Sequence, residues 1–427
     1  MKKLVICLAA GLVALVSCDK DSVTKVKEPI AISSPVPTEQ ITKVDLSDTE
    51  KGYVEAGNAM AFRFLQQMYE GKNIILSPLS LQYALAMTAN GASGETLQEI
   101  IDFLGYGADG IDALNAYSKK LLEQLPAVDL NVTLKVTDAL LVNDKHPLLP
   151  SFRQTVQDSY YAAVDNMDFS NPEEVAARIN DWANRNTNGV IDKILDTDEI
   201  SAQAVAFLMN ALYFKAKWAR LSGEPMFRNE STREENFTLS DGTVSRASYM
   251  RNIRYHRYAE MDGYTVLALP YAGGKYYMFI LLPDENDLDG LMKKLPDISW
   301  KTILGSFKRD AEVTLKLPKF DIENKFNLKE ALRTMGVKRA FQGGFDRMFA
   351  DDGAYAIDKV IQKAKITVAE WGTEAAAVTI VEMMETSPGP GQEEPKRINF
   401  FADHPFVYLI GEATSGTILF EGVYSGK

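Results

Sequence analysis

Few side chains in this sequence have the type and spacing for bond-making chemistry. The three histidines, His146, His256 and His404, stand far apart. None belongs to an HExxH pair, which would set two imidazoles on one helical face to hold zinc. No Gly-x-Ser-x-Gly turn offers a nucleophilic serine, and no phosphate-binding P-loop occurs. A Gly-x-Gly-x-x-Gly is present, Gly105-Tyr106-Gly107-Ala108-Asp109-Gly110. It follows a helical pattern rather than a strand, so it reads as a helix stop and a turn, not as a dinucleotide cradle. Asp and Glu are abundant, yet no pair stands out as acid and base. The histidines read as ordinary surface or loop residues. The two cysteines, Cys7 and Cys18, lie close to the N-terminus, so the folded body has no disulfide framework and no cysteine metal site. The expectation is a protein that is not an enzyme, with no cofactor and no metal.

Chemistry done to the chain is another matter. Lys2 and Lys3 precede an apolar run from Leu4 to Val16, too short to span a membrane as a lone helix. The run ends in Leu15-Val16-Ser17-Cys18, which resembles a bacterial lipobox, where the cysteine is lipidated and becomes the first mature residue. The competing reading is an ordinary signal peptide with an incidental cysteine. A lipidated Cys18 implies anchoring by acyl chains rather than spanning. The second stretch of interest is 370–391, EWGTEAAAVTIVEMMETSPGPG. Its first half reads as a strand and its second half as a loop.

The elements that position this stretch follow from periodicity. Residues 1–18 read as a signal peptide, 19–50 as a flexible tether without helical or strand period, and 51–427 as one large α+β domain. Tyr53–Tyr69, Ser77–Asn90, Glu95–Leu104 and Glu173–Asn186 carry helical patterns, the second opening on Ser-Pro. Val132–Asn143 and Ala204–Lys215 are apolar strand-like runs, and 262–283 holds two strands around Ala272-Gly273-Gly274. Phe406–Ile410 and Ile418–Val423 continue the mixture. No repeat and no Pro/Gly/Ser linker divides 51–369. The composition is 46% hydrophobic and 24% charged, with net charge −12 and no large basic cluster, so nucleic acid is not an expected partner.

Six motifs then line up in one order. Asn73-Ile-Ile-Leu-Ser77-Pro78-Leu79-Ser80, Asn180-Asp-Trp182, Asn210-Ala-Leu-Tyr213-Phe214-Lys215-Ala-Lys217-Trp218, Leu317-Pro318-Lys319-Phe320, Gly372-Thr373-Glu374-Ala375-Ala376-Ala377 and Asp403-His404-Pro405-Phe406 resemble successive serpin segments. The resemblance covers about residues 51–427 and implies a serpin fold: three β-sheets, about eight or nine helices and an exposed reactive-centre loop, here about 370–399. It implies a monomeric suicide inhibitor of proteases, whose loop is cleaved and then inserted as a new strand in the main sheet. The alternative kept beside it is a non-inhibitory serpin acting as a binding or structural module at the cell envelope.

Carried onto this chain, the resemblance makes Glu370, Gly372, Thr373, Glu374, Ala375, Ala376 and Ala377 the hinge. Ser77, Ser80, Asn210, Trp218, Lys319 and Gln362 become the polar supports beneath and above the sheet opening. Gln362 stands where many members carry His, and its amide is expected to bond Asn210 or Ser80. Trp371 replaces the usual acid beside Glu370, and its ring is expected to slow the hinge. Alternation supports insertion independently: Thr373, Ala375, Ala377, Thr379, Val381 and Met383 form an uncharged face, while Glu374 and Glu382 fall on the other. Family spacing from Glu370 places the cleaved bond at Thr386-Ser387, with Met384 and Glu385 as neighbouring options. No Lys or Arg lies nearby, so elastase-like, subtilisin-like or papain-like proteases are the expected partners. With Cys18 lipidated, the expected location is the cell envelope, on the outer membrane, its face left open.

Overall fold

The computed structural model describes residues 37–373 and 396–427, with Ile30 and Pro35, apart from Ala202, Ser222 and Asp352. Among the described residues the strands are β1 (Ile74–Leu76), β2 (Val132–Asn143), β3 (Ala163–Met167), β4 (Ala206–Lys217), β5 (Arg233–Thr238), β6 (Val244–Arg254), β7 (Arg257–Met261), β8 (Tyr264–Pro270), β9 (Tyr276–Pro283), β10 (Ala311–Pro318), β11 (Phe320–Asn327), β12 (Ile361–Ala369), β13 (Gly372–Thr373), β14 (Lys396–Phe401), β15 (Phe406–Glu412) and β16 (Ile418–Tyr424). The helices are α1 (Asp48–Met68), α2 (Pro78–Ala89), α3 (Gly94–Leu104), α4 (Gly110–Gln124), α5 (Pro150–Tyr160), α6 (Pro172–Asn186), α7 (Leu288–Lys294), α8 (Trp300–Ser306) and α9 (Lys329–Thr334).

Three sheets result, in the orders β1-β16-β15-β9-β8-β7, β14-β10-β6-β5 and β11-β12-β13-β4-β2-β3. The expected α+β class, three sheets and helix number are all present. Local chemistry sets the helix ends. Ser47 and Glu50 form a capping box at the start of α1. Ser77 caps α2 by accepting the Ser80 amide, with Pro78 in the first turn. Gly105 ends α3 at φ 85°, and the Gly-x-Gly-x-x-Gly that follows is a short 3-10 turn leading into α4, as its sequence context implied.

The last sheet divides the core. The inward face of β2 (Val136, Leu140) packs with α2 and β4 in the main cluster. Its outward face (Ala139, Leu141) packs under α6 against Trp182.

Three sequence expectations are corrected here. The segment read as tether to residue 50 is already held from Ile41, whose amide bonds Ala127 O at 2.9 Å. Val44 is buried with its amide on Thr414 Oγ1, and Arg185 bonds the carbonyl of buried Ile30. The strand expected at Ala204–Lys215 runs two residues later, because its partner β2 fixes the register from Val132↔Ala216 to Val142↔Ala206. His256 lies in the connection between β6 and β7, so of the surface-or-loop reading the loop part holds, but it is buried rather than on the surface. It bonds Asn252 Oδ1 at 2.8 Å, and burial, with Arg254 and Arg309 nearby, pushes its pKa down to about 4.

One core position works against stability. Glu421 of β16 lies opposite Leu76 and Leu409, fully buried, and neither carboxyl oxygen has a hydrogen-bond partner among the described residues. Burial pushes its pKa well above the ordinary value. The folded protein therefore keeps this proton while the unfolded chain releases it near pH 4.5, so stability falls as pH rises beyond that point. Glu421→Met should raise the thermal midpoint, by about 1–3 kcal/mol of relieved desolvation at pH 5 and more at pH 8. Calorimetry at the two pH values checks this, and an advantage that shrinks with rising pH would contradict it.

Candidate functional site

The sheet containing β12 and β4 is incomplete along its middle. β12 is paired along its whole length with β11, from Val368↔Phe320 to Ile361↔Asn327. β4 is paired along most of its length with β2. Their facing edges meet only through two-residue β13, which joins Val368 and Ala369 to Ala216 and Lys217. Below that point, 361–367 and 206–215 have no strand between them among the described residues. A cavity of about 280 Å³ opens there, with Leu208, Asn210, Leu212, Gln362, Ala364 and Ile366 on its lips. Unpaired strand edges are templates for another strand.

The upper end of this slot is clasped. The chain leaves β12 at Glu370, turns at Trp371 and re-enters as β13. Glu370 is buried, accepts the Thr232 hydroxyl at 2.6 Å and meets Lys319 Nζ at 2.9 Å. Burial pushes its carboxyl up, but the bonds from Thr232 and Lys319 outweigh this and hold it below its ordinary range. Trp218 donates its indole N–H to Ala369 O at 2.8 Å and its backbone N–H to Trp371 O at 3.1 Å. Its ring stacks on Tyr271, 4.7 Å between centroids and 4° from parallel. The Tyr271 hydroxyl meets Thr373 Oγ1 at 2.6 Å. Gly372 has φ 141°, and a Cβ there would lie 2.1 Å from Ala216 O. Only glycine allows β13 to approach β4 so closely.

The floor of the slot is tied to the N-terminus of α2 from both sides. On one lip, Asn210 accepts the Ser80 hydroxyl. On the other, the Gln362 amide binds both backbone groups of Ser77, accepting its N–H at 3.0 Å and donating to its carbonyl at 2.9 Å. The expectation that Gln362 would bond Asn210 or Ser80 is thus corrected. The longer Gln side chain satisfies both halves of its amide on Ser77. The Ser77 hydroxyl donates onward to Leu419 O at 3.0 Å.

The structure therefore gathers Ser77, Ser80, Asn210 and Gln362 at the slot floor, and Trp218, Lys319, Glu370, Gly372 and Thr373 at its upper end. Glu374, Ala375, Ala376, Ala377, Met384, Glu385, Thr386 and Ser387 lie outside the described residues, as does Cys18. Sequence reasoning missed Thr232, Tyr271 and Asp138. Thr232 and Tyr271 sit in ordinary surroundings and only the fold brings them to the hinge. Asp138 carried a signal: a lone acid inside the apolar run of β2. Its side chain accepts the Asn210 amide at 2.9 Å.

No group of three or more His, Cys, Asp or Glu that could hold a metal occurs among the described residues. Among the described residues, what the site offers is two facing strand edges without a partner between them, next to a chain already turned into that gap.

Comparison with known proteins agrees with this geometry. The family model described as Serpin (serine protease inhibitor) matches residues 55–426. An uncharacterized serpin-like protein of Thermococcus kodakarensis is 34% identical over 91% of this chain and 89% of its own length. Iripin-2 of Ixodes ricinus is 33% identical over 87% of this chain and 93% of its own. The thermophilic serpin Tengpin, solved in its native state, superposes with a TM-score of 0.77 at 26% identity, covering 91% of this chain and 97% of that one. With a family match across nearly the whole folded body and a half-open sheet clasped at one end, this chain belongs to the serpins, a family of protease inhibitors.

Proposed function

We propose that this protein is a suicide inhibitor of serine proteases, and of cysteine proteases by the same route, cleaved near Thr386-Ser387. The observation that carries the reading is the register of β13. Thr373 stands opposite both Val368 and Ala216. Extended in that register, residue 375 falls between Ile366 and Phe214, 377 between Ala364 and Leu212, 379 between Gln362 and Asn210, and 381 between Val360 and Leu208. Opposed residues in an antiparallel pair share a face, so this set points inward with Thr373. The sequence supplies Ala375 beside the bulky Ile366 and Phe214, Ala377, then Thr379 at the one polar pair on the lips, then Val381 among apolar neighbours. Glu374 and Glu382 fall outward.

The chemistry is the protease's own. Its nucleophilic oxygen or sulfur attacks the Thr386 carbonyl carbon. The bond to the Ser387 nitrogen breaks, and that nitrogen leaves with a proton. Water would normally release the resulting ester or thioester. Insertion of 374–385 instead carries the acyl-enzyme across the sheet before hydrolysis, and the pull distorts the attached enzyme. The segment carries no Lys or Arg, which favours elastase-like, subtilisin-like or papain-like enzymes. The lipobox-like Leu15-Val16-Ser17-Cys18 supports a lipid-anchored location on the cell envelope.

The test is incubation with a panel of such proteases. An SDS-resistant complex and release of a fragment beginning at Ser387, within one or two residues by mass spectrometry, are expected. Clean cleavage with no complex for every protease would reject the inhibitory reading and leave a binding module.

A further inference from the structure

Behind the β4 lip of the slot lies a carboxyl that the insertion chemistry does not use. Asp138 stands opposite Asn210 in the β2–β4 ladder and is 1% exposed. One of its oxygens accepts the Asn210 amide at 2.9 Å, and the other has no hydrogen-bond partner among the described residues. Asn210 is thus held at both ends, its N–H by Asp138 and its oxygen by Ser80. A native carboxyl with an idle buried oxygen is an exception that asks for a reason.

The surroundings are apolar and phenolic. Val136 and Leu140 flank Asp138 on the same face of β2. Tyr83 of α2 and Tyr160 of α5 are the titratable groups that feel its charge, and burial raises both far out of the physiological range, with Tyr117 of α4 beyond Tyr83. From β4 the facing group is Asn210; Lys215 and Lys217 of that strand point outward and are exposed. Burial pushes the Asp138 carboxyl up to about 7 against the lowering bond from Asn210, and no cation offsets it.

We propose that Asp138 positions Asn210 on the slot lip and makes opening of the slot pH-dependent, its neutral carboxyl favouring the closed sheet and its carboxylate favouring the open one. The reason is geometric. Spreading the lips at Asn210 breaks its hold on Ser80 and lets water reach the carboxyl directly behind it. A hydrated carboxyl ionises near its ordinary value of about 4. The closed form thus binds the proton more tightly than the open form. Below about pH 4 both are neutral and nothing couples. Between about 4 and 7 opening gains with each rise in pH, and above about 7 the gain is complete. The inference uses the inhibitory reading only for the purpose of opening, not for its existence.

The experiment is hydrogen exchange by mass spectrometry on the intact protein at pH 5.5 and pH 8, with intrinsic exchange rates divided out. Peptides covering 206–215 and 361–367 are read. In the wild type the opening constant should rise on the order of tenfold between the two, whereas peptides from β9 and β15 stay level. Asp138→Asn keeps an acceptor for the Asn210 amide but removes the titration, and its profile should be flat. A flat wild-type profile overturns the proposal without any variant. A wild-type slope that survives in Asp138→Asn overturns it as well. Absence of any protease complex with the exchange profile intact would instead sink the inhibitory reading alone.

Discussion

Thr379→Arg should convert the protein from a trap into a substrate. The protease would still cut near Thr386-Ser387, at a rate within about twofold of wild type, because the bond and its neighbours are unchanged. Insertion would stall where residue 379 has to pass between Gln362 and Asn210, over Ser77 and Ser80. All four polar groups there already have partners, and the one acid near them, Asp138, lies behind Asn210 on the far side of the β4 lip and already accepts its amide. Burying an unpaired charge costs several kcal/mol, and each 1.4 kcal/mol on the insertion barrier shifts the race against hydrolysis about tenfold. The yield of SDS-resistant complex should therefore drop at least about a hundredfold. Val378→Arg, on the outward face, serves as the control and should keep most of its yield. Equal yields from Thr379→Arg and wild type would mean that the register extended from β13 is not the one the loop follows.

Cleavage itself should stabilise the protein strongly. Filling the slot gives 361–367 and 206–215 the backbone partners they lack. About ten new hydrogen bonds at roughly 0.5–1.5 kcal/mol each, with Val381 and Met383 adding about 1–3 kcal/mol apiece, total on the order of 10 kcal/mol. That is comparable with the entire stability of an ordinary domain, so on the inhibitory reading the uncleaved form would persist only because conversion is slow. For a chain of this size each kcal/mol moves the thermal midpoint by a degree or two, so nicking the loop should raise it on the order of 10–20 °C. Scanning calorimetry of intact and nicked protein measures this directly. No rise on nicking would identify a member that does not insert. Nicked Thr379→Arg should show only a small part of the rise.

Much of this could be read before any coordinates, and the parts that could not share a cause. The cap and first turn of α2 are written in Ser77 and Pro78, and the extent of β2 in a mostly apolar run interrupted by Lys135 and Asp138, because those signals are local. The hinge came from the resemblance of Gly372–Ala377 to a serpin segment, and of it only Gly372 and Thr373, with Glu370 before them, fall among the described residues. The slot itself was not legible as geometry. It depends on β13 touching β4, a partner more than a hundred and fifty positions earlier in the chain, and on no other strand joining the two lips among the described residues. The two-residue offset in β4 has the same origin, since pairing with β2, rather than apolar content, decides where a strand begins. The clasp at Glu370 draws on Thr232 and Lys319 from two other strand regions. The docking of Ile41 and the burial of Val44 were hidden because two apolar residues with exposed Thr42 and Lys43 between them carry no period. Glu421 and Asp138 were visible as acids in apolar runs, yet a sequence does not say which face of a strand is dry.

The shortness of β13 has a kinetic consequence. New strands usually form slowly because two distant edges must first meet, and the entropy of closing the intervening loop is lost before any hydrogen bond is gained. Here that first meeting has already taken place. Gly372 and Thr373 are a seed held in register by glycine's close approach to Ala216 and by the Tyr271–Thr373 contact. On the proposed inhibitory reading, everything after cleavage would be elongation, each residue docking beside one that is already docked. The time to finish should then depend on the dozen residues that enter the sheet and hardly at all on the length of the Pro- and Gly-rich stretch beyond Ser387. In a race against hydrolysis, the growing end starts with its nucleus in place.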